Sequence, residues 1–285
     1  MGKHCCYAQV HLSPPMLDFM KALLLSLCLT LCFPLTARAD EALGWQAYKA
    51  GDFVRARELF AQAGTPDGFA AACRTGLVLG GFYQTGEASV RSLHRALDDC
   101  KAAVAVEPAH VDAHISYAIG LGFEGKRLKK AKYAKASLLL LEDLLVVSDD
   151  YGILHAALGG WHTSVYEAGF FARLALGGKR SKARAHFERA VALAPEDIGV
   201  RYEFIKYLAY GKSDERQEAL TEIATLATLP VRDIFDRFLL QRAQDIGAMI
   251  EAEDKDGLEA ALEAATAFTN IREQKDQPAY PLEAE

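Results

Sequence analysis

The sequence predicts an all-α fold, a solenoid of antiparallel helix pairs ending in a C-terminal capping helix. Three observations carry this. No stretch alternates apolar and polar residues at period two with β-branched enrichment, as a half-buried strand requires. Apolar residues recur instead at intervals of three and four, the signature of one helix face. One spacing also returns along the chain: Ala183, Phe187, Ala190 and Pro195 stand four, three and five apart, and Ala96, Cys100, Ala103 and Pro108 repeat it. A returning pattern marks units that bury their apolar faces on one another.

Residues 1–39 lie outside this pattern. Lys21 precedes an apolar run from Ala22 to Leu35, and Ala37 and Ala39 form an A-x-A arrangement before Asp40. This is the layout of a secretory signal peptide. A membrane anchor would need ~20 apolar residues, and Pro34 interrupts a run that is already shorter. Cleavage after Ala39 and a periplasmic or secreted location are therefore expected. The extension before the signal, with Cys5, Cys6, Pro14 and Pro15, fits no targeting role, so translation is expected to begin at Met16 or Met20. Cys32 follows Leu31 rather than small residues, so lipid attachment is not expected.

The helical-repeat domain is expected over 40–253, as about five helix pairs plus a cap. Unit one, LGWQAYKAGDFVRARELFAQA, has Gly51 and Asp52 at its turn, with Ala56, Phe60 and Ala63 on one face of its second helix. Unit two opens with GFAAACRTGLVLGGFY, and after an insertion around GEASVR its second helix carries Ala96, Cys100 and Ala103. Unit three begins at Val111 and continues through AKYAKASLLLLEDLLVV. In unit four, Leu154, Leu158, Trp161, Val165, Ala168, Ala172 and Ala175 recur at three and four. This predicts one elongated helix over 152–176, ~37 Å long at 1.5 Å per residue. KARAHFERAVALAP follows as its second helix, with Ala183, Phe187 and Ala190 expected against Leu158 and Trp161. Unit five comprises YEFIKYLAYG and EALTEIATLA, and VRDIFDRFLLQRAQDIGAMIEA is the expected cap. Residues 254–285 read as a charged tail, partly helical around GLEAALEAATAF or disordered.

The residues Leu43, Gly44, Tyr48, Ala56, Phe60 and Ala63, and the Leu-Gly start and Ala-Phe-Ala-Pro finish of unit four, resemble the tetratricopeptide repeat. The resemblance implies a right-handed superhelix in which the first helix of each unit lines a concave groove. It places Trp45, Tyr48 and Lys49 of unit one, and Tyr202, Lys206 and Tyr210 of unit five, on that groove. Aromatic and cationic side chains there suit a protein or peptide partner; Trp45 and Tyr210 have the alternative of packing on neighbouring helices or the cap. The Lys and Asn set with which chaperone-binding members grip a C-terminal carboxylate is absent. Residues 105–212, through the elongated unit four, are also similar to the repeats of the regulator of microtubule dynamics family. A microtubule role implies a cytoplasmic face, which the signal peptide opposes.

Composition narrows the function. The chain has 32 Lys and Arg against 38 Asp and Glu, a net charge of −6; three of those cations and one acid precede Asp40, leaving −8 beyond it. An acidic chain is poorly suited to neutralising phosphates, so no nucleic-acid partner is expected. GLGFEGK, Gly120 to Lys126, matches a phosphate-loop pattern in letters only: a helix precedes it and Arg127 stands where a hydroxyl is needed. His110 with His114, and His155 with His162, share helix faces without completing a ligand set, so no metal or cofactor is expected. No G-x-S-x-G or H-E-x-x-H motif is present, so no catalytic role is expected. Cys73 and Cys100 stand at similar heights on a helical hairpin turning near residue 85, as a disulfide or as two buried thiols. The cations of GKRLKKAKYAKA read as a solvated helix face, with an anionic patch partner as the alternative. The expected function is a non-catalytic exported scaffold that binds a protein or peptide through its concave face. The alternative is a periplasmic carrier or transporter-associated protein for a small ligand. Mass spectrometry of the exported chain is expected to find Asp40 at its N-terminus; any other mature terminus contradicts the signal assignment.

Overall fold

The computed structural model describes residues 38–282, in which every regular element is helical. The α-helices are α1 (38–50), α2 (Phe53–Ala63), α3 (Pro66–Val78), α4 (Gly86–Val106), α5 (Val111–Leu128), α6 (Ala131–Val147), α7 (Gly152–Glu167), α8 (Phe170–Leu176), α9 (Arg180–Leu193), α10 (Ile198–Ala209), α11 (Ser213–Leu226), α12 (Ile234–Glu251) and α13 (Lys255–Ala264). A π-helical turn, Leu79–Tyr83, prolongs α3. Five antiparallel pairs result, α1/α2, α3/α4, α5/α6, α7/α9 and α10/α11, with α12 packed on the last. First helices α3, α5, α7 and α10 neighbour one another in sequence order, which is how a helical-repeat solenoid grows.

Local sequence explains the helix starts. Side chains of Asp52, Thr65, Asp197, Asp233 and Asp254 each accept a backbone N–H of the first turn they cap. His110 caps α5 in the same way, accepting from Ala113 N, so this imidazole serves the backbone. Gly51, at φ +85°, makes the reversal between α1 and α2.

Two glycines set the approach of paired helices. A Cβ on Gly44 would lie 2.6 Å from the ring of Phe60, and one on Gly159 would lie 2.9 Å from that of Phe187. In units one and four alike, a ring of the second helix thus rests on bare backbone of the first. Leu158 and Trp161 were expected under Phe187 but turn the other way, into a cluster with Ile115 and Ala118 of α5 and Leu141 and Leu144 of α6. The Trp161 indole N–H donates to Ala134 O at 3.0 Å. Gly159 is the residue that meets Phe187 because it alone offers no side chain on that face.

The expected single helix over 152–176 is broken. Gly169 adopts φ +101°, so α7 ends at Glu167 and α8 starts afresh at Phe170. The apolar spacing continues across the break because Ala172 and Leu176 of α8 rejoin the cluster that α7 packs into. Cys73 and Cys100 form a disulfide, Cα–Cα 5.2 Å, that ties α3 to α4.

Replacing Gly159 by Val is expected to destabilise the protein by about 1–3 kcal/mol through overpacking against Phe187. A Cβ at the adjacent Gly160 meets nothing within 4 Å, so Gly160→Ala is expected to stabilise by about 0.5–1 kcal/mol. Urea unfolding of the two variants checks the opposite signs. Removing the disulfide by Cys73→Ala/Cys100→Ala is expected to cost about 2–4 kcal/mol, read in the same assay.

Candidate functional site

The inner face of a helical-repeat stack is its expected binding surface, and here the chain's own residues 234–282 cover part of it. The start of α12 reaches the first two units: Phe235 lies 6.5 Å, ring to ring, from Phe53 and 5.6 Å from Phe82, and Phe238 lies 5.6 Å from Tyr83. Beyond α13 the chain crosses to units two and three. Phe268 N donates to Gly81 O at 3.0 Å, the Phe268 ring packs 4.8 Å from Phe123, and Asn270 Nδ2 donates to Gln84 O at 2.6 Å. Phe268, Ile271 and Tyr280 are buried in one cluster with Leu93, Leu97 and Leu121.

Arg127 holds the end of this segment. Fully buried, it donates to Glu124 at 2.8 and 2.6 Å and to three backbone carbonyls, Gln274 O at 2.5 Å, Gln277 O at 3.2 Å and Pro278 O at 2.9 Å. Glu124, itself buried, accepts from Tyr280 N at 2.9 Å, and Tyr133 Oη donates to Tyr280 O at 2.7 Å. Tyr280 Oη completes the clasp by donating to Asp98 at 2.9 Å. Burial alone would raise the Glu124 carboxyl; hydrogen bonds from His94, Arg127 and Tyr280 N–H outweigh it and bring the pKa down to about 2.

The residues expected on an open groove divide accordingly. Tyr48, 4% exposed, is in the core with Phe53 and Phe60, against α12 through Phe235. Tyr202, 1% exposed, donates its hydroxyl to Ala265 O at 2.6 Å. Lys206 is buried, paired with Glu203 at 2.7 Å and lying over the Tyr202 ring. Tyr210 is partly exposed beside Thr266. For Tyr48 and Tyr202 the cause is common, because residues 234–282 fill the space they would have faced; Tyr210, 39% exposed, stays open. Trp45 and Lys49 stay exposed, with the Arg74 guanidinium 5.3 Å over the Trp45 ring. Lys126, on α5, reaches solvent inside the stack, where lost solvation, then the charges of Arg272 and Lys206, lower its pKa to about 8.

Two surface clefts lie elsewhere. One, of about 300 Å³, is lined by Asp67, Glu107, Asp112, Asp150, His110 and Tyr151. The other, of about 620 Å³, is lined by Arg180, Arg184, Tyr207 and Glu215. Its arginines are already engaged, Arg180 by Glu215 at 3.0 Å and Arg184 by Glu218 at 2.8 Å. Between α7 and α9, His155 and His186 meet through their Nδ1 atoms at 3.0 Å, and His162 stacks 5.9 Å from His186. Among the described residues no group of three or more His, Cys, Asp or Glu is placed to hold a metal ion. Burial first, then the charge of Lys182 and the neighbouring histidines, lowers His162 and His186 to about 4.

No protein-family model matches the sequence, and no curated protein matches it significantly. Among solved structures, a thermophilic TPR protein of Thermus thermophilus is similar at TM-score 0.52 and 24% identity, covering 73% of this chain and 98% of that one. The fold is tetratricopeptide-type. Among the described residues no helix is long and apolar enough to cross a membrane.

Arg127→Met leaves Glu124 charged and buried without its partner, and is expected to cost about 3–5 kcal/mol. The variant should be cut by trypsin after Arg272 and Lys275 much faster than the native protein; an unchanged rate contradicts the clasp. For the histidines, the unfolded state binds protons near the ordinary value of 6.5 and the folded state near 4. Stability is therefore complete above pH 6.5 and lost as the pH falls toward 4. Melting temperature measured across that window should fall, and less steeply in a His162→Gln/His186→Gln double variant.

Proposed function

We propose that the protein is a non-catalytic scaffold, exported after cleavage behind Ala39, that holds a protein or peptide partner on the inner face of its first unit. The observation that carries this reading is the Trp45, Lys49 and Arg74 corner. It is a part of the expected groove that residues 234–282 leave exposed, and it combines an aromatic surface with two exposed cations. A ring offers large contact area at small entropic cost, and flanking cations select acidic or carbonyl-rich segments. Tyr48 packs edge-on against Trp45, with ring centroids 5.7 Å apart.

The carrier reading is less well supported. The larger cleft presents guanidinium groups already satisfied within the chain, so a bound anion would have to displace a carboxylate at each.

The test is chemical crosslinking in the native compartment followed by affinity recovery of the native protein and of Trp45→Ala/Lys49→Glu. A partner recovered by the native protein should fall at least about tenfold with the variant, the loss of an aromatic anchor at an interface. Equal recovery of every partner with the variant overturns this assignment of the surface.

A further inference from the structure

Helix α8 has a composition and position that the repeat architecture does not use. It belongs to the extra residues of unit four, is bounded by Gly169 and Gly177 at φ +101° and +76°, and contains no buried residue. Ala172 and Leu176 rest on the cluster between α6 and α7. The opposite side projects Phe170, Phe171 and Leu174, which are 66%, 83% and 74% exposed. Three large apolar side chains on a convex tip present no concavity to a partner, and they cost free energy in water.

The charge around this tip is segregated. From Lys129 to Leu141 and from Ala168 to Lys182 the sequence has eight Lys and Arg and no Asp or Glu, in a chain of net charge −6. Packing brings the two stretches to one end of unit four. Trp161 fixes the first turn of α6 beside α7 through Ala134 O, α8 packs on both helices, and Gly178 lies against Val165 of α7. Lys129, Lys130, Lys132 and Lys135 are exposed on the α6 side, and Lys179 and Lys182 on the α9 side. Arg180 is paired with Glu215 at 3.0 Å and lies 3.7 Å from Glu167, so the exposed positive charge here is that of the lysines.

We propose that α8 and its flanking lysines form a docking surface for an anionic lipid bilayer, with Phe170, Phe171 and Leu174 inserted at the headgroup–acyl boundary. The chemistry matches on both counts: aromatic and aliphatic side chains enter the interface, and lysines beside them meet anionic headgroups. The attachment proposed is peripheral and reversible, since among the described residues no helix is long and apolar enough to span. It is separate from the Trp45 corner and does not depend on the partner-binding reading.

Sedimentation with phosphatidylcholine vesicles, with and without phosphatidylglycerol, tests this on the full protein. The expected result is binding to the phosphatidylglycerol vesicles alone, weakened by salt. Phe170→Ser/Phe171→Ser/Leu174→Ser, at solvent-exposed positions and with an unchanged circular dichroism spectrum as the folding control, should weaken it at least about tenfold. Lys129→Gln/Lys130→Gln/Lys132→Gln/Lys135→Gln, which keeps the apolar tip, should also weaken it at least about tenfold. No binding to anionic vesicles overturns the proposal, as does binding that the apolar triple variant leaves unchanged. Concentration-dependent dimerisation abolished by that variant, without vesicle binding, assigns the tip to a protein contact and also overturns it.

Discussion

Arg127 and Glu124 form a buried ion pair that would be a poor bargain alone, since removing two charges from water costs several kcal/mol per ion. What offsets that cost is the number of hydrogen bonds gathered around it. Arg127 serves two carboxylate oxygens and three carbonyls, and Glu124 also receives a backbone N–H from Tyr280. The carbonyls belong to a segment without regular secondary structure, whose buried backbone acceptors would otherwise be unpaired. The pair therefore acts as a substitute for secondary structure, fixing residues 274–280 on units two and three.

This anchoring changes how the solenoid behaves as a whole. A plain repeat stack is nearly one-dimensional, each unit touching only its neighbours. Here Phe235 and Phe238 reach the first two units, Tyr202 of unit five binds Ala265, and Phe268 rests on Gly80 and Gly81 of unit two. Distant units are coupled through residues 234–282, so unfolding at either end removes contacts from the other. The disulfide reinforces the same region, since α3 and α4 carry both the bridge and part of the surface that receives the C-terminal segment.

The repeat frame was legible because it is local. The glycine that receives a ring and the four-three spacing of the second helix lie within one unit and repeat. The break at Gly169 was concealed by an apolar rhythm that survives it, although the glycine itself was visible. The occupancy of the inner face was hidden for a different reason. Tyr48 and Tyr202 are covered by residues far along the chain, and spacing within a unit carries no information about them. Arg127 sits in a lysine-rich run whose other members are mostly solvated, and nothing local distinguishes the one cation that is buried. The available signal was in the tail, where Phe268, Ile271 and Tyr280 stand out among charged neighbours as residues a disordered segment has no use for. The two surfaces proposed for function, the Trp45 corner and the α8 tip, are both exposed.

Backbone hydrogen exchange of residues 268–282 measures the central claim most directly, because a free tail and a clasped one differ by orders of magnitude in protection. The account predicts slow exchange at Phe268 and Tyr280, whose N–H groups are bonded to Gly81 O and Glu124, at rates comparable with those of α4 and α5. Exchange at those amides as fast as in an unstructured peptide would contradict it.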